Sequence, residues 1–408
     1  MSEQTGALGG IRVFDLSRVL AGPSCTQLLA DLGADVIKVE RPGVGDETRT
    51  WGPPFVKDAD GGETTESGYY LSANRNKRSV TINMAKPKGA ALVKKMLPEC
   101  DVLIENFKVG SLAKYGLAYD DLKDDFPDLI YCSITGFGQT GPYAQRPGYD
   151  MMAQGMGGLI SMTGEPDRAP VKVPIAVNDV MTGMYGAVGI LAALRHRDAT
   201  GKGQHIDLGL LDVQVAWLYN QGLNYLTGGA VPERLGTAHP NSVPYQAFET
   251  ADGFIILAAN NDEQFKRFCE FAGCVELLED PKFATNPDRV RNRGLVTETV
   301  ARIIKTHPNQ HWIEGLERAG VSCCPINTVD QVFDDPGVLA RDMKISMPHP
   351  LAGTGAVDLI GNPLKLSETP PAYSRPPPTM GQHTDEVLEE ILGLSEDERN
   401  ELRAAGLI

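Results

Sequence analysis

No CxxC pair occurs among the seven cysteines, and the seven histidines show neither HExxH nor another metal-ligand spacing. The odd cysteine count and the adjacent Cys323 and Cys324 argue against a disulfide framework. These absences predict a metal-free chain of a reducing compartment, read here as cytoplasmic. No apolar run approaches the length of a membrane-spanning helix, and MSEQTGALGG has neither an apolar nor an Arg-rich targeting pattern. Cations are scarce: 38 Lys and Arg stand against 53 Asp and Glu, a net charge of −15. That balance excludes nucleic acid and acidic membranes as general partners, though not a local basic site for an anionic ligand. The glycine fingerprint GxGxxG is also missing from the first strand–helix–strand unit, which excludes a nicotinamide or flavin site there.

What is present centres on Val171–Gly203, VKVPIAVNDVMTGMYGAVGILAALRHRDATGKG. The extended run VPIAV ends at Asn178-Asp179, and Val180 to Leu194 then repeats with helical spacing. A helix is expected to begin at that polar pair and to stop at Gly201, with Arg195, His196 and Arg197 in its last turn. Gly183, Gly186 and Gly189 leave one face bare enough for another backbone to approach. Asp179 has two readings. It is a helix cap accepting backbone N–H groups, or a carboxylate held ionised by the helix N-terminus and poised to attack an electrophile. Asn178 capping while Asp179 faces a cleft would satisfy both.

With 408 residues, 42% hydrophobic and 22% charged, the chain has room for two or three globular units. Strands are expected at IRVFDL, ADVIKVE, SVTINM, DVLIENF and LIYCSIT. Helices between them, such as CTQLLADL and KGAALVKKMLPEC, predict a parallel α/β layer. Arg41 follows the second strand directly, the end of a parallel strand at which ligands bind. Arg75, Lys77 and Arg78 form a cationic cluster before the third strand, either a solvated face or a phosphate anchor. Residues 56–67 read as a surface loop, and QHIDLGLLDVQVAWLYNQGLNYLTG as a strand and one long helix. Composition shifts at Gly228 into a linker, beyond which a separate α+β unit with a hairpin turn at Ala251-Asp252-Gly253 runs to about Val329.

DLSRVLAGP, LGADVIKVERPGVGDETR, NRNKRS, DVLIENF, SITGFGQTGPY, RPGYDMMAQGMGGL, VNDVMTGMYGAVGILAAL and TGKGQHIDLGLLD occur in this order. Together with PPPTMGQHTDEVL near the C-terminus, they resemble the class III CoA-transferases across the whole chain. This is the CaiB/BaiF, or formyl-CoA transferase and α-methylacyl-CoA racemase, family. The resemblance implies a Rossmann-like parallel-sheet large domain plus a smaller α+β domain, in an interlocked homodimer. The large CoA-binding domain would begin with residues 1–227, the linker and small domain would occupy 228–329, and 330–408 would return to complete the large domain. Asp179 falls at the family's nucleophile. Arg41, the basic stretch Arg75, Lys77 and Arg78, then Asn106, Phe107 and Lys114, fall at positions that bind CoA. The family's mobile glycine loop aligns poorly with Ala258–Asp262.

The family's racemases carry His-Asp where this chain has Tyr149-Asp150. A phenol of reference pKa about 10 is a poor base at neutral pH, so transfer is favoured over racemisation. ERPGVGDETRTWGPPF and GTAHPNSVPYQAF resemble the branch of succinate–hydroxymethylglutarate CoA-transferases. The substrates implied are succinyl-CoA and a dicarboxylate such as glutarate, 3-hydroxy-3-methylglutarate or itaconate, with acyl-CoA as substrate and no resident cofactor. Formyl-CoA:oxalate exchange, crotonobetainyl-CoA:carnitine exchange and a 2-methylacyl-CoA racemase are the alternatives. A dicarboxylate needs a cation for its distal end, and Arg18, Arg146 and His239 are the candidates.

Overall fold

The structure, a computed structural model, describes residues 6–408. Six parallel strands form its main sheet, in the order Lys77–Thr81, Asp35–Glu40, Arg12–Asp15, Val102–Glu105, Ile130–Thr135, His205–Gly209. Their runs of buried residues, such as Val36 and Ile37 or Val102, Leu103 and Ile104, suit a sheet covered on both faces. The strand order reverses between Arg12–Asp15 and Val102–Glu105, so a crevice opens where Ser17–Leu20 and Asn106–Phe107 leave the sheet.

The chain forms two compact units. The first holds the main sheet and comprises residues through Gly157, then Pro174–Trp217 and Pro336–Ile408. The second comprises Gly158–Val173 and Leu218–Asp335. Its antiparallel sheet runs Ser322–Pro325, Phe254–Ala258, Tyr245–Glu249, over a core that includes Phe248, Phe265, Phe268 and Trp312. The divisions fall at 217 and 335 rather than at 227 and 329, and Gly158–Val173 joins the second unit.

Several local expectations change. Residues 56–67 fall largely in an antiparallel hairpin, Phe55–Lys57 with Glu63–Ser67, rather than a loop. VPIAV forms no strand: residues 173–176 are irregular and Val177 is already the first residue of the central helix. The long helix after that strand is two, Leu210–Ala216 and Tyr219–Gly228, parted where Tyr219 takes a positive φ of 39°.

The central helix spans Val177–Thr200 and stops at Gly201 in the left-handed conformation. By length and composition it could cross a membrane, contrary to expectation, but 44% of its most apolar window is buried inside the fold. Its bare face meets the first helix, Ala21–Asp31. A Cβ on Gly183 would stand 2.8 Å from the Ala21 carbonyl and 3.1 Å from the Cys25 amide nitrogen, and one on Gly186 3.2 Å from Cys25 Sγ. Glycine therefore lets the N-terminal turns of both helices lie against each other. Gly183→Ala is expected to lower stability by about 1–3 kcal/mol, read as a fall in the urea midpoint at unchanged m.

Candidate active site

The site is built within the first unit from the loops at the reversal of strand order. Asn106 fastens them: its side-chain oxygen accepts the Arg18 N–H at 2.9 Å and its amide donates to the Arg18 carbonyl at 2.6 Å. Beyond lies a cavity of about 230 Å³ whose wall includes Arg18, Ala21, Asn106, Phe107, Arg146 and Asp179. A second cavity, of about 380 Å³, is lined by Arg41, the segment Ile82–Ala85 and Tyr115. Arg18, Glu47 and Phe107 line both cavities, so the two adjoin. The Arg18 guanidinium stacks over Phe107 at 4.9 Å and pairs with Glu47 at 2.8 Å.

Asp179 sits in the first turn of its helix and is only 9% exposed. Neither it nor Asn178 supplies the cap. Asp150, at the start of Asp150–Met156, accepts the N–H groups of Asn178 at 2.8 Å and Asp179 at 3.2 Å. The Asn178 amide donates instead to the Leu210 carbonyl at 3.0 Å. With its backbone held by Asp150, the Asp179 side chain is left to the cavity. Burial, and then the Asp150 charge, push its carboxyl up to about 7. This corrects the expectation of a carboxylate kept firmly ionised: the field of the helix start is outweighed.

Three cations in these cavities have no carboxylate partner among the described residues: Arg41, Lys108 and Arg146. All three are exposed, and Arg146 stacks on Tyr143 at 4.1 Å. Lys114 is exposed beside Tyr115, with its ammonium 4.8 Å from that ring. His239 lies in the second unit, stacked on Tyr245 at 5.1 Å.

The cluster Arg75, Lys77 and Arg78 is not a free phosphate anchor, because all three are buried and spent on internal acids. Arg75 pairs with Asp31 at 2.5 Å and donates to the Ile360 carbonyl at 2.7 Å. Lys77 reaches Asp15 at 3.1 Å. Arg78 binds Asp35 at 2.5 Å and Glu390 at 2.6 Å, tying the Thr384–Leu392 helix to the sheet edge. The cavity-lining segment of this region is Ile82–Ala85, just past the same strand; the strand-end rule that picked Arg41 would have found it. Glu47 and the capping role of Asp150 also went unread, since both depend on residues distant in sequence.

A buried carboxylate on the wall of a cleft that also holds arginines is chemically able to take an acyl group from an anionic carrier. The chain matches the model of CoA-transferase family III over residues 8–384, and it belongs to that family of enzymes. It is 48% identical over 392 residues to a succinate–glutarate CoA-transferase of Agrobacterium fabrum, covering 96% of this chain and 97% of that one. It is 43% identical to the human succinyl-CoA:glutarate CoA-transferase, over 98% of this chain and 90% of that one. A solved CaiB/BaiF family protein from Brucella suis superposes with a TM-score of 0.83 at 46% identity, over 95% of this chain and all of that one.

Three outcomes follow from the electrostatics. A carboxyl raised from 3.8 to about 7 on folding leaves stability untouched below pH 4 and costs on the order of 4 kcal/mol above pH 7. Asp179→Asn should therefore raise the thermal midpoint at pH 8, with the gain vanishing toward pH 4. Arg75→Met strands buried Asp31 and should cost about 3–5 kcal/mol, yet leave KM for acyl-CoA within twofold. Arg41→Ala should do the reverse, raising that KM at least tenfold at unchanged stability.

Proposed function

We propose that this chain exchanges CoA between succinyl-CoA and glutarate, with Asp179 as nucleophile. The observation that carries the reading is the buried Asp179 carboxylate, backbone-anchored by Asp150, on a cavity wall that also holds an unpaired arginine. The substrates are those named for the relatives from Agrobacterium and human.

In the first step an Asp179 oxygen attacks the thioester carbonyl of succinyl-CoA, the C–S bond breaks, and a mixed anhydride and CoA thiolate result. The thiolate then attacks the Asp179 carbonyl, releasing succinate and leaving an aspartyl-CoA thioester. A glutarate oxygen attacks that carbonyl and expels the thiolate, giving an aspartyl–glutaryl anhydride. The thiolate attacks the glutaryl carbonyl, which yields glutaryl-CoA and returns Asp179 as carboxylate. Every step exchanges one activated acyl bond for another, so no ATP is consumed. Each tetrahedral intermediate places negative charge on an oxygen near the start of the first helix. There the N–H groups of Leu20 and Ala21 have no acceptor among the described residues.

Arg41 takes the CoA phosphates, Lys114 beside the cavity-lining Tyr115 adds a second cation, and Asn106 and Phe107 flank the pantetheine path. Arg146 takes the distal carboxylate, because it shares the Asp179 cavity and no acid engages it. Arg18 and Lys108 are the other cations there; Glu47 already occupies the Arg18 guanidinium. The chain acts as a homodimer in the cytoplasm and holds no resident cofactor. Support for self-association comes from Val180, Met184, Val188 and Leu191, a stripe along the central helix that stays 36–64% exposed.

The test is CoA exchange from succinyl-CoA to glutarate, 3-hydroxy-3-methylglutarate, itaconate, oxalate and carnitine. Transfer to the longer dicarboxylates is expected, with at least a thousandfold loss in Asp179→Ala. Since the ionised carboxylate attacks, kcat/KM should rise with pH through a midpoint near 7. Transfer confined to oxalate or carnitine would overturn the substrate assignment.

A further inference from the structure

Val19, in the wall of the Asp179 cavity, has a φ of 70°. A β-branched residue in the left-handed region crowds its Cβ against its own backbone, and it stays there only where its surroundings over-determine it. The surroundings here are ionic. The Val19 N–H donates to both oxygens of Asp46 at 3.3 Å. Asp46 is 1% exposed and pairs at 2.8 Å with Lys38, which is wholly buried. The same carboxylate accepts the N–H and the hydroxyl of Thr48 at 3.0 and 2.8 Å. Lys38 donates onward to the Ser17 carbonyl at 3.0 Å. One ion pair thus grips the turn on both sides of Arg18, whose own N–H and carbonyl are held by Asn106.

Burying two charges is a poor way to fill a core, since apolar side chains of similar volume serve as well or better. What the ion pair adds is direction: one backbone donor and one backbone acceptor of the turn are fixed at set points. Leu20 and Ala21, the residues that follow, have N–H groups with no acceptor among the described residues, and both line the cavity with Asp179.

We infer that Asp46, held by Lys38, is a positioning residue for acyl transfer. It draws the Val19 N–H inward, locks the left-handed turn, and so leaves the Leu20 and Ala21 N–H groups unspent beside Asp179 for the developing oxyanion. The inference rests on Asp179 being the nucleophile.

The experiment compares kcat, KM and thermal midpoint for the full-length enzyme and four variants, with succinyl-CoA and glutarate. Val19→Gly relieves the crowding and loosens the turn. It should keep or raise the midpoint while kcat falls at least tenfold and KM for succinyl-CoA changes less than threefold. Removing only one charge would strand the other, so the pair is replaced together. Lys38→Met with Asp46→Leu removes the acceptor for Val19 and should lower kcat at least tenfold. Lys38→Met with Asp46→Asn keeps a neutral acceptor and should recover at least half of that loss on a logarithmic scale. Wild-type kcat in Val19→Gly, or equal kcat in the two double variants, would overturn the positioning role. The fourth variant, Asp179→Ala, separates the two readings. Its full loss of transfer alongside wild-type kcat in the turn variants sinks the role of Asp46 alone, whereas transfer surviving it sinks both.

Discussion

The close approach of two helices is the constraint on which the site depends. Because Gly183 and Gly186 carry no side chain, the Ala21–Asp31 helix can lie directly against Val177–Thr200. The contact is made one turn past Asp179 and at the very start of the partner helix. Two helix N-termini are thereby brought to one cavity: the first N–H groups of the Asp179 helix are taken up by Asp150 and the preceding turn, whereas those of Leu20 and Ala21 have no acceptor among the described residues. The proposed nucleophile on one and the proposed oxyanion donors on the other are brought together by the packing of the core.

Charge is distributed in an unusual way for a protein of net charge −15. Its cations are not simply scattered over an acidic surface. Lys38, Lys77, Arg49, Arg75 and Arg78 are buried, each against one or more acids, around the C-terminal ends and the edge of the sheet. Arg49, for example, bridges Glu40 and Glu66 and stacks on Tyr70 at 3.7 Å. Such networks contribute little net stability compared with apolar packing, but they specify geometry. With those cations engaged inside, the cleft keeps Arg41 and Arg146, exposed and with no acid paired to them among the described residues.

Much of this was legible in the sequence. Apolar strands alternating with amphipathic helices pointed to a parallel α/β layer, and the position of Arg41 after its strand put it at the correct edge of the sheet. The helix beginning near Asp179 and ending at Gly201 followed from periodicity and glycine chemistry. What could not be read was anything fixed by pairing across distance. Arg75, Lys77 and Arg78 looked like a ligand site because their partners Asp31, Asp15 and Asp35 lie more than forty residues away. The cap on the Asp179 helix comes from Asp150, twenty-nine residues earlier, and no local rule nominates it over Asn178. The pKa of Asp179 went the other way for the same reason: helix position is local, whereas burial is a property of the folded whole.

The tie between Arg78 and the helix Thr384–Leu392 bears on the order in which the molecule is made. The strand holding Arg78 is translated early, and Glu386 and Glu390, which complete its ion pairs, are translated some three hundred residues later. Between them the ribosome delivers all of Leu218–Asp335, a unit with its own sheet and core. That unit can consolidate while the sheet, whose six strands all precede it, still has a bare, charged edge. The nascent chain therefore carries a complete sheet with an uncovered edge for much of its synthesis, and that edge is covered only when the Thr384–Leu392 helix emerges.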